Sequence, residues 1–412
     1  MATEPFARAI AEAEEIIRSA PHVRSERDLA EGLDYLAGGI KAALHMTWAY
    51  DRDFPFFAAS TGPYAKLGLD NPDTLYFHAY IRDDAEYVVT GRRGTTADLS
   101  FQVLNGDYSP ARSPDSLTAF DDRDIEIAPD GSYELRFGPA ESTAESTAES
   151  LAESPDESAA GGKAGPNRFT LGPGAAMLIV REVFSDWDAE RPGEIRIHRA
   201  ATLGSAPPPP DVDRISRRYE VAARMLLGRL RTFLAFPERH YLTLPVNTMT
   251  EPRPTPGGLA TQYSSVGHYD LDDDQVMVVT VPAAGRDVAP YQGFQLGSMW
   301  YVSLDYINHQ TSLTADQARP DPDGKIRYVI GERDPGLANW IERTGHRRGY
   351  LQIRWQRLTR PLGPEDGPEV EVMRFEDLPA RLPYHDRQRM SPGEWAARIA
   401  ARQTAVARRM LG

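Results

Sequence analysis

The 412-residue chain contains no cysteine. That absence removes disulfides, thiolate nucleophiles and cysteine-type zinc sites together, and it fits a cytoplasmic protein. No run of about 18 apolar residues occurs, so no membrane-spanning helix is expected. The opening residues, "MATEPFARAIAEAEEIIRSAP", lack the basic and apolar blocks of a secretory signal and read as an amphipathic helix. Basic charge is also short: 46 Lys and Arg stand against 60 Asp and Glu, a formal net charge of −14. Nucleic acid and anionic membranes need a basic footprint, so neither is expected as a partner.

Missing motifs narrow the chemistry further. There is no glycine-rich phosphate loop, no Gly-x-Ser-x-Gly elbow and no dinucleotide fingerprint after a strand, which leaves kinase, serine-hydrolase and dehydrogenase readings without support. The nine histidines form no metal-type spacing. Neither a metal nor another cofactor is therefore expected. The acidic runs "DDRD" (121–124) and "DLDDDQ" (270–275) lead straight into strands and read as capping or turn carboxylates. "PDPDGKIRYVI" (320–330) resembles a calcium loop, but counting from Asp321 places Lys325 at the fifth position and Gly324 at the fourth instead of the sixth. Its Asp-Gly reads instead as a hairpin turn, where glycine supplies a positive φ.

What is present is patterned. Four helices are expected: one carrying Phe6, Ile10, Ala13 and Ile17, one capped by Ser25, one from Asp211 to about Phe236 ended by Pro237, and one starting at Ser391–Pro392. Between them the apolar period falls to two. Strands are expected at 74–81, 85–91, 124–128, 132–137, 175–183 and 194–200, then at 275–281, 298–307, 325–330 and 349–358. Residues 139–166, with "AESTAESTAESLAESP" inside them, have almost nothing to bury and read as a disordered low-complexity insertion.

The two strand sets echo each other. "APDGSYELRF" is followed by Asn167 and by Arg181 in "LIVR"; "DPDGKIRYVI" is followed by Asn339 and by Arg354 in "LQIR". The expected fold class is mainly β (α+β overall), with two β-sandwich or barrel-like domains related by duplication or by coincidence. The expected boundaries are 1–50 for N-terminal helices, 51–206 for the first β domain, 207–240 for a linking helix, 241–362 for the second β domain and 363–412 for a tail and helix.

"GSMWYVSLDYI" and the segment from "SLTADQARPDPDGKIRYVI" to "GYLQIRWQRL" resemble the bacterial domain-of-unknown-function family 1214. "DNPDTLYFHAYI", "RGT" at 93–95 and "VREVFSDWD" resemble a family 1254-like N-terminal half. The resemblance covers roughly residues 25–360, less the insertion. It implies two mostly β domains with accessory helices, and it carries over neither a reaction nor catalytic residues.

Candidate site residues come from the strand faces. Alternation puts Tyr76, His78 and Tyr80 on one face of 74–81, and Tyr301, Ser303 and Asp305 on one face of 298–307. His78 and Asp305 are the candidate acid–base pair, with Tyr76, Tyr80, Tyr301 and Trp340 as ligand contacts. Arg181 and Arg354 interrupt apolar strands, so each needs a partner. Asp186 or Asp188 is expected for Arg181 and Asp305 for Arg354; a substrate carboxylate or phosphate is the alternative. The expected function is binding or turnover of a small metabolite in a polar-aromatic pocket. The alternative is a non-catalytic structural or assembly protein whose polar faces are solvated. A homo-oligomer is left open.

Overall fold

The computed structural model describes residues 1–107, 114–139, 163–255, 259 and 261–411. Five helices are α1 (Glu4–Arg18), α2 (Glu26–Ala49), α3 (Val212–His240), the short α4 (Leu378–Arg381) and α5 (Pro392–Leu411). The strands up to α3 are β1 (Thr74–Tyr80), β2 (Tyr87–Arg92), β3 (Asp98–Leu104), β4 (Ser116–Asp121), β5 (Ser132–Gly138), β6 (Lys163–Gly165), β7 (Arg168–Thr170), β8 (Met177–Val183) and β9 (Glu194–Arg199). After it come β10 (Thr248–Met249), β11 (Arg253–Pro254), β12 (Tyr263–Asp270), β13 (Gln275–Pro282), β14 (Tyr291–Gly297), β15 (Ser312–Thr314), β16 (Lys325–Gly331), β17 (Trp340–Glu342), β18 (Arg348–Gln356) and β19 (Glu369–Arg374).

These strands make two sandwiches of the same design. In the first, a sheet ordered β1-β8-β3-β4 faces one ordered β6-β7-β5-β2-β9. In the second, a sheet ordered β10-β12-β18-β14-β15, with β11 also paired to β12, faces β17-β16-β13-β19. Apart from the edge strands β6, β10 and β11, the orders coincide, and the parallel pairing of β5 with β7 recurs between β16 and β17. Each sandwich closes on its own apolar core. Phe101, Phe120, Leu135, Phe137, Phe169 and Val180 are buried in the first. Phe294, Tyr328, Ile330, Leu351, Ile353 and Trp355 are buried in the second.

The repeat extends to single hydrogen bonds. Gly131 (φ 85°) and Gly324 (φ 76°) hold the turns that start β5 and β16. The side chain of Asn167 accepts from Glu126 N at 2.7 Å and donates to Glu126 O at 2.9 Å. Asn339 does the same with Arg319 N and O, both at 2.8 Å. Each asparagine thus occupies backbone groups that a β ladder would otherwise use. This is why 124–128, expected as a strand, is a 3-10 turn (Asp122–Asp124) followed by irregular chain.

Four other expectations need correction. Pro237 does not stop α3, which runs on to His240; Tyr241 N and Leu242 N both bond Pro237 O at 2.9 Å. The Asp-Gly turn at 323–324 enters β16 without joining two paired strands, because β15 lies in the opposite sheet. Its carboxylates are engaged by Arg327, 2.6 Å from Asp321 and 2.6 Å from Asp323. Residues 298–307 are turns with one isolated bridge instead of a strand, and Tyr301 there adopts φ 58°. Most of the expected insertion lies outside the described residues, but its C-terminal edge forms β6, paired with β7.

The helices lie over the outer faces of both sandwiches. Phe6, Ala13 and Ile17 of α1 pack with Tyr35 and Leu36 of α2, Leu226 and Leu230 of α3, and Trp300 and Val302 of the turn after β14. Trp300 donates to Asp28 O at 3.0 Å, and a Cβ on Gly32 would sit 2.4 Å from its ring. A mid-helix glycine lowers helix propensity by about 1 kcal/mol, and here it gives the indole its place.

Candidate functional site

Antiparallel registry builds a polar floor on the outer face of the first sandwich. Tyr76, Arg181 and Ser100 lie side by side across β1, β8 and β3; His78, Ile179 and Gln102 form the next row; Tyr80, Met177 and Leu104 the third. The Tyr80 end is sealed, since Met46 of α2 packs there with Tyr80, Leu104, Met177 and Ile179. Tyr80 OH donates to Asp107 at 3.2 Å. Tyr76, His78 and Arg181 remain half-buried. The face is therefore neither solvated nor filled by core packing.

His78 is held from both sides. Its backbone bridges to Ala58, and its Nδ1 lies 3.2 Å from Ser60 Oγ. Burial, then the nearby Arg229 guanidinium, push its pKa down to about 3; Asp107 opposes them and Arg181 adds to them. The imidazole is neutral at pH 7 and, so lowered, serves as a hydrogen-bonding group and only a weak base. Arg229 is itself paired with both oxygens of Asp107 at 3.0 Å. Tyr76 OH accepts from Asn71 N at 3.2 Å and keeps its own proton to donate.

Arg181 binds neither Asp186 nor Asp188, contrary to expectation. Those carboxylates are remote from it in role: Asp186 caps the amides of Asp188 and Ala189. Arg181 Nη2 donates instead to Gln102 Oε1 at 2.8 Å, and Gln102 donates to Ser116 at 3.0 Å. Its Nη1 is buried and has no hydrogen-bond partner among the described residues.

The same device sits in the second sandwich. Arg354 aligns with Gly293 of β14, and its Nη1 bonds Gln295, two residues on, as Gln102 is two on from Ser100. Its Nη2 donates to Leu69 O at 2.6 Å, so Asp305 is not its partner. Tyr76 and His78 correspond by register to Ser264 and Val266. Over that face Tyr241, Tyr301, Tyr350, Phe233 and Leu69 form one buried apolar cluster. Tyr301 OH reaches Tyr241 OH at 3.3 Å, which reaches Gln352 at 3.2 Å.

Two candidates belong to neither face. Asp305 is exposed and caps its own turn, accepting from Ile307 N at 2.9 Å and Asn308 N at 3.0 Å. Alternation placed it beside Tyr301 only on the assumption of a strand. Trp340 is buried; its indole donates to Gly331 O at 3.0 Å and its ring lies 4.8 Å from Trp395 of α5. The segment 69–73 is buried between the sandwiches. Asp70 accepts from Ser303, and Asp73 accepts from Tyr291 at 2.7 Å and Trp187 at 2.8 Å.

The sequence reading missed Gln102, Gln295, Ser60 and Arg229. A signal for the glutamines exists: "SFQVL" in β3 and "GFQLG" in β14 both carry Phe-Gln.

Larger clefts, of about 240, 260 and 360 Å³, lie elsewhere. The first is lined by charges that largely bind one another, such as Arg347 with Asp270 and His346 with Glu31. The last runs along α5, where Arg402 donates to Tyr306 O and Ser312 O. A cavity of about 20 Å³ between α2 and α3 has room for one water. Among the described residues no group of three or more His, Asp or Glu side chains is arranged to hold a metal ion. No helix among them is long and apolar enough to cross a membrane.

No family model and no curated protein matches the chain. Solved structures do. An uncharacterized protein from Burkholderia cenocepacia is 27% identical, with 92% of this chain and 98% of that chain covered and a TM-score of 0.76. The VPA0106 protein from Vibrio parahaemolyticus is 13% identical, with 83% of this chain and 98% of that one covered and a TM-score of 0.46.

Proposed function

We propose that the protein binds or turns over a small polar metabolite on the outer face of its first sandwich, with His78 in contact with it. The observation that carries this reading is the contrast between two equivalent faces. The second is closed by an aromatic cluster, whereas the first keeps a neutral imidazole, a phenol and a guanidinium half-buried together. A site of this make-up offers flat contacts, hydrogen-bond donors and a neutral hydrogen-bond acceptor within one patch. Tyr76 and Arg181 contact the ligand, with Ser60 orienting the imidazole. Arg354 and Tyr301 belong to the closed face, and Trp340 and Asp305 have no part in the reading. No metal or nucleotide is invoked, and the resemblance to families 1214 and 1254 and a cytoplasmic location belong to the same proposal.

A scaffold reading has one observation in its favour: the clefts of 240–360 Å³ lie away from His78. Incubating the purified chain with a metabolite extract, followed by ultrafiltration and mass spectrometry of what is retained, separates the two. Retention of a small molecule by the wild type and its loss from His78→Ala supports a site. No retained species, or identical retention by both, favours the scaffold.

A further inference from the structure

We infer that the ligand of the first sandwich is a small organic monoanion whose carboxylate is received by Arg181. This deepens the proposed function and rests on it. The internal repeat supplies the template. In the second sandwich the two terminal nitrogens of Arg354 are both engaged, one by Gln295 and the other by the carbonyl oxygen of Leu69. In the first, Arg181 makes the glutamine bond, and its other terminal nitrogen is buried with no acceptor among the described residues. A buried guanidinium donor without an acceptor is costly, so the position held by Leu69 O in one copy is where a ligand oxygen belongs in the other.

Charge decides the class of that oxygen. Arg354 has the buried carboxylate of Asp70 close enough to sense it, so a neutral carbonyl completes its shell. Arg181 has no ion pair among the described residues; the nearby Arg229 and Asp107 neutralise each other, and His78 is uncharged at neutral pH. Among the described residues the Arg181 charge therefore has no ion-pair partner, which matches a monocarboxylate and falls short of a phosphate dianion. Tyr76, in register with Arg181 on β1, places a phenol beside the same oxygen, and His78, in the adjoining row, meets the group next to it.

The test is binding of benzoate, acetate and inorganic phosphate to the full chain at matched ionic strength, followed by calorimetry and thermal shift. Benzoate or acetate should bind the wild type saturably and phosphate should not. Arg181→Gln should weaken carboxylate binding by about tenfold or more, the loss of one charge-assisted hydrogen bond. Arg181→Lys, which keeps the charge without the fork, should fall between and guards against a misfolded glutamine variant. Arg354→Lys should leave carboxylate affinity unchanged. Undiminished carboxylate binding by Arg181→Gln, or preference for phosphate, overturns the inference. If no carboxylate binds yet His78→Ala still loses a retained metabolite, the carboxylate class is wrong and the site itself stands. If neither is seen, both fall.

Discussion

The two sandwiches share core strand order, turn glycines, capping asparagines and an arginine–glutamine pair, yet among the described residues both terminal nitrogens of the arginine are engaged in only one. In the second, the arginine is a structural clamp: Arg354 ties β18 to β14 through Gln295 and to the incoming chain through Leu69 O. In the first, Arg181 makes half of that clamp. Where one copy of a repeat closes a polar device and the other leaves it open, the closed copy shows what the device needs and the open copy shows what is missing. The difference comes from what covers each face. Tyr241, Tyr301 and Tyr350 lie over Arg354's face, whereas His78 and Tyr76 stand where Val266 and Ser264 stand in the other copy.

The comparison can be broken most forcefully at the arginines. Arg354→Ala should cost about 3 kcal/mol in denaturant unfolding, because it strands Gln295 and the buried Leu69 carbonyl. Arg181→Ala should cost no more than about 1 kcal/mol, since it removes one bond along with an unsatisfied donor. Equal costs would mean that both arginines are structural. The asparagines come next. Asn339 is buried, so Asn339→Ala should lose about 2 kcal/mol, and the half-exposed Asn167→Ala about 1 kcal/mol. A larger loss at Asn167 would show that the repeat is not energetically parallel.

Acid sharpens the contrast by a similar or smaller amount. The folded pKa of His78, about 3, lies below the ordinary histidine value of 6.5. Below pH 6.5 the unfolded chain therefore binds a proton that the native state refuses, and stability falls as pH drops toward 3. His22, lowered to about 4, acts in the same sense. Asp98 and Glu182, raised to about 7, act in the opposite sense. Because those groups are common to both proteins, comparing wild type with His78→Gln isolates the one term. Between pH 7 and pH 5 the wild type should lose up to about 2 kcal/mol more than the variant. Parallel pH curves would show that His78 takes up its proton as readily in the fold as in the unfolded chain. The smallest expected effect is none: melts with calcium and with chelator should coincide, because Arg327 occupies the carboxylates of Asp321 and Asp323.

Much of this was legible in the sequence. The echo of Pro-Asp-Gly, asparagine and strand arginine correctly announced two equivalent β units, because each of those residues serves a backbone geometry that recurs. Alternation correctly put Tyr76, His78 and Tyr80 on one face of β1. It failed over 298–307, where a left-handed Tyr301 and turns at Ser298 break the period and send Asp305 to solvent. The partners of the arginines were misread because charge was matched only with charge, while two glutamines in β3 and β14 supplied the acceptors. Long-range covering, such as Leu69 closing over β18, depends on tertiary packing that no local pattern records.

The most direct test compares equivalent positions of the two faces. Metabolite retention and denaturant unfolding are measured together for wild type, His78→Ala and Val266→Ala. His78→Ala should lose the retained small molecule with stability nearly unchanged, whereas Val266→Ala should keep the molecule and lose about 1–2 kcal/mol from the sealed face. Retention that survives His78→Ala, or that disappears equally with Val266→Ala, would contradict the assignment of the first sandwich as the binding face.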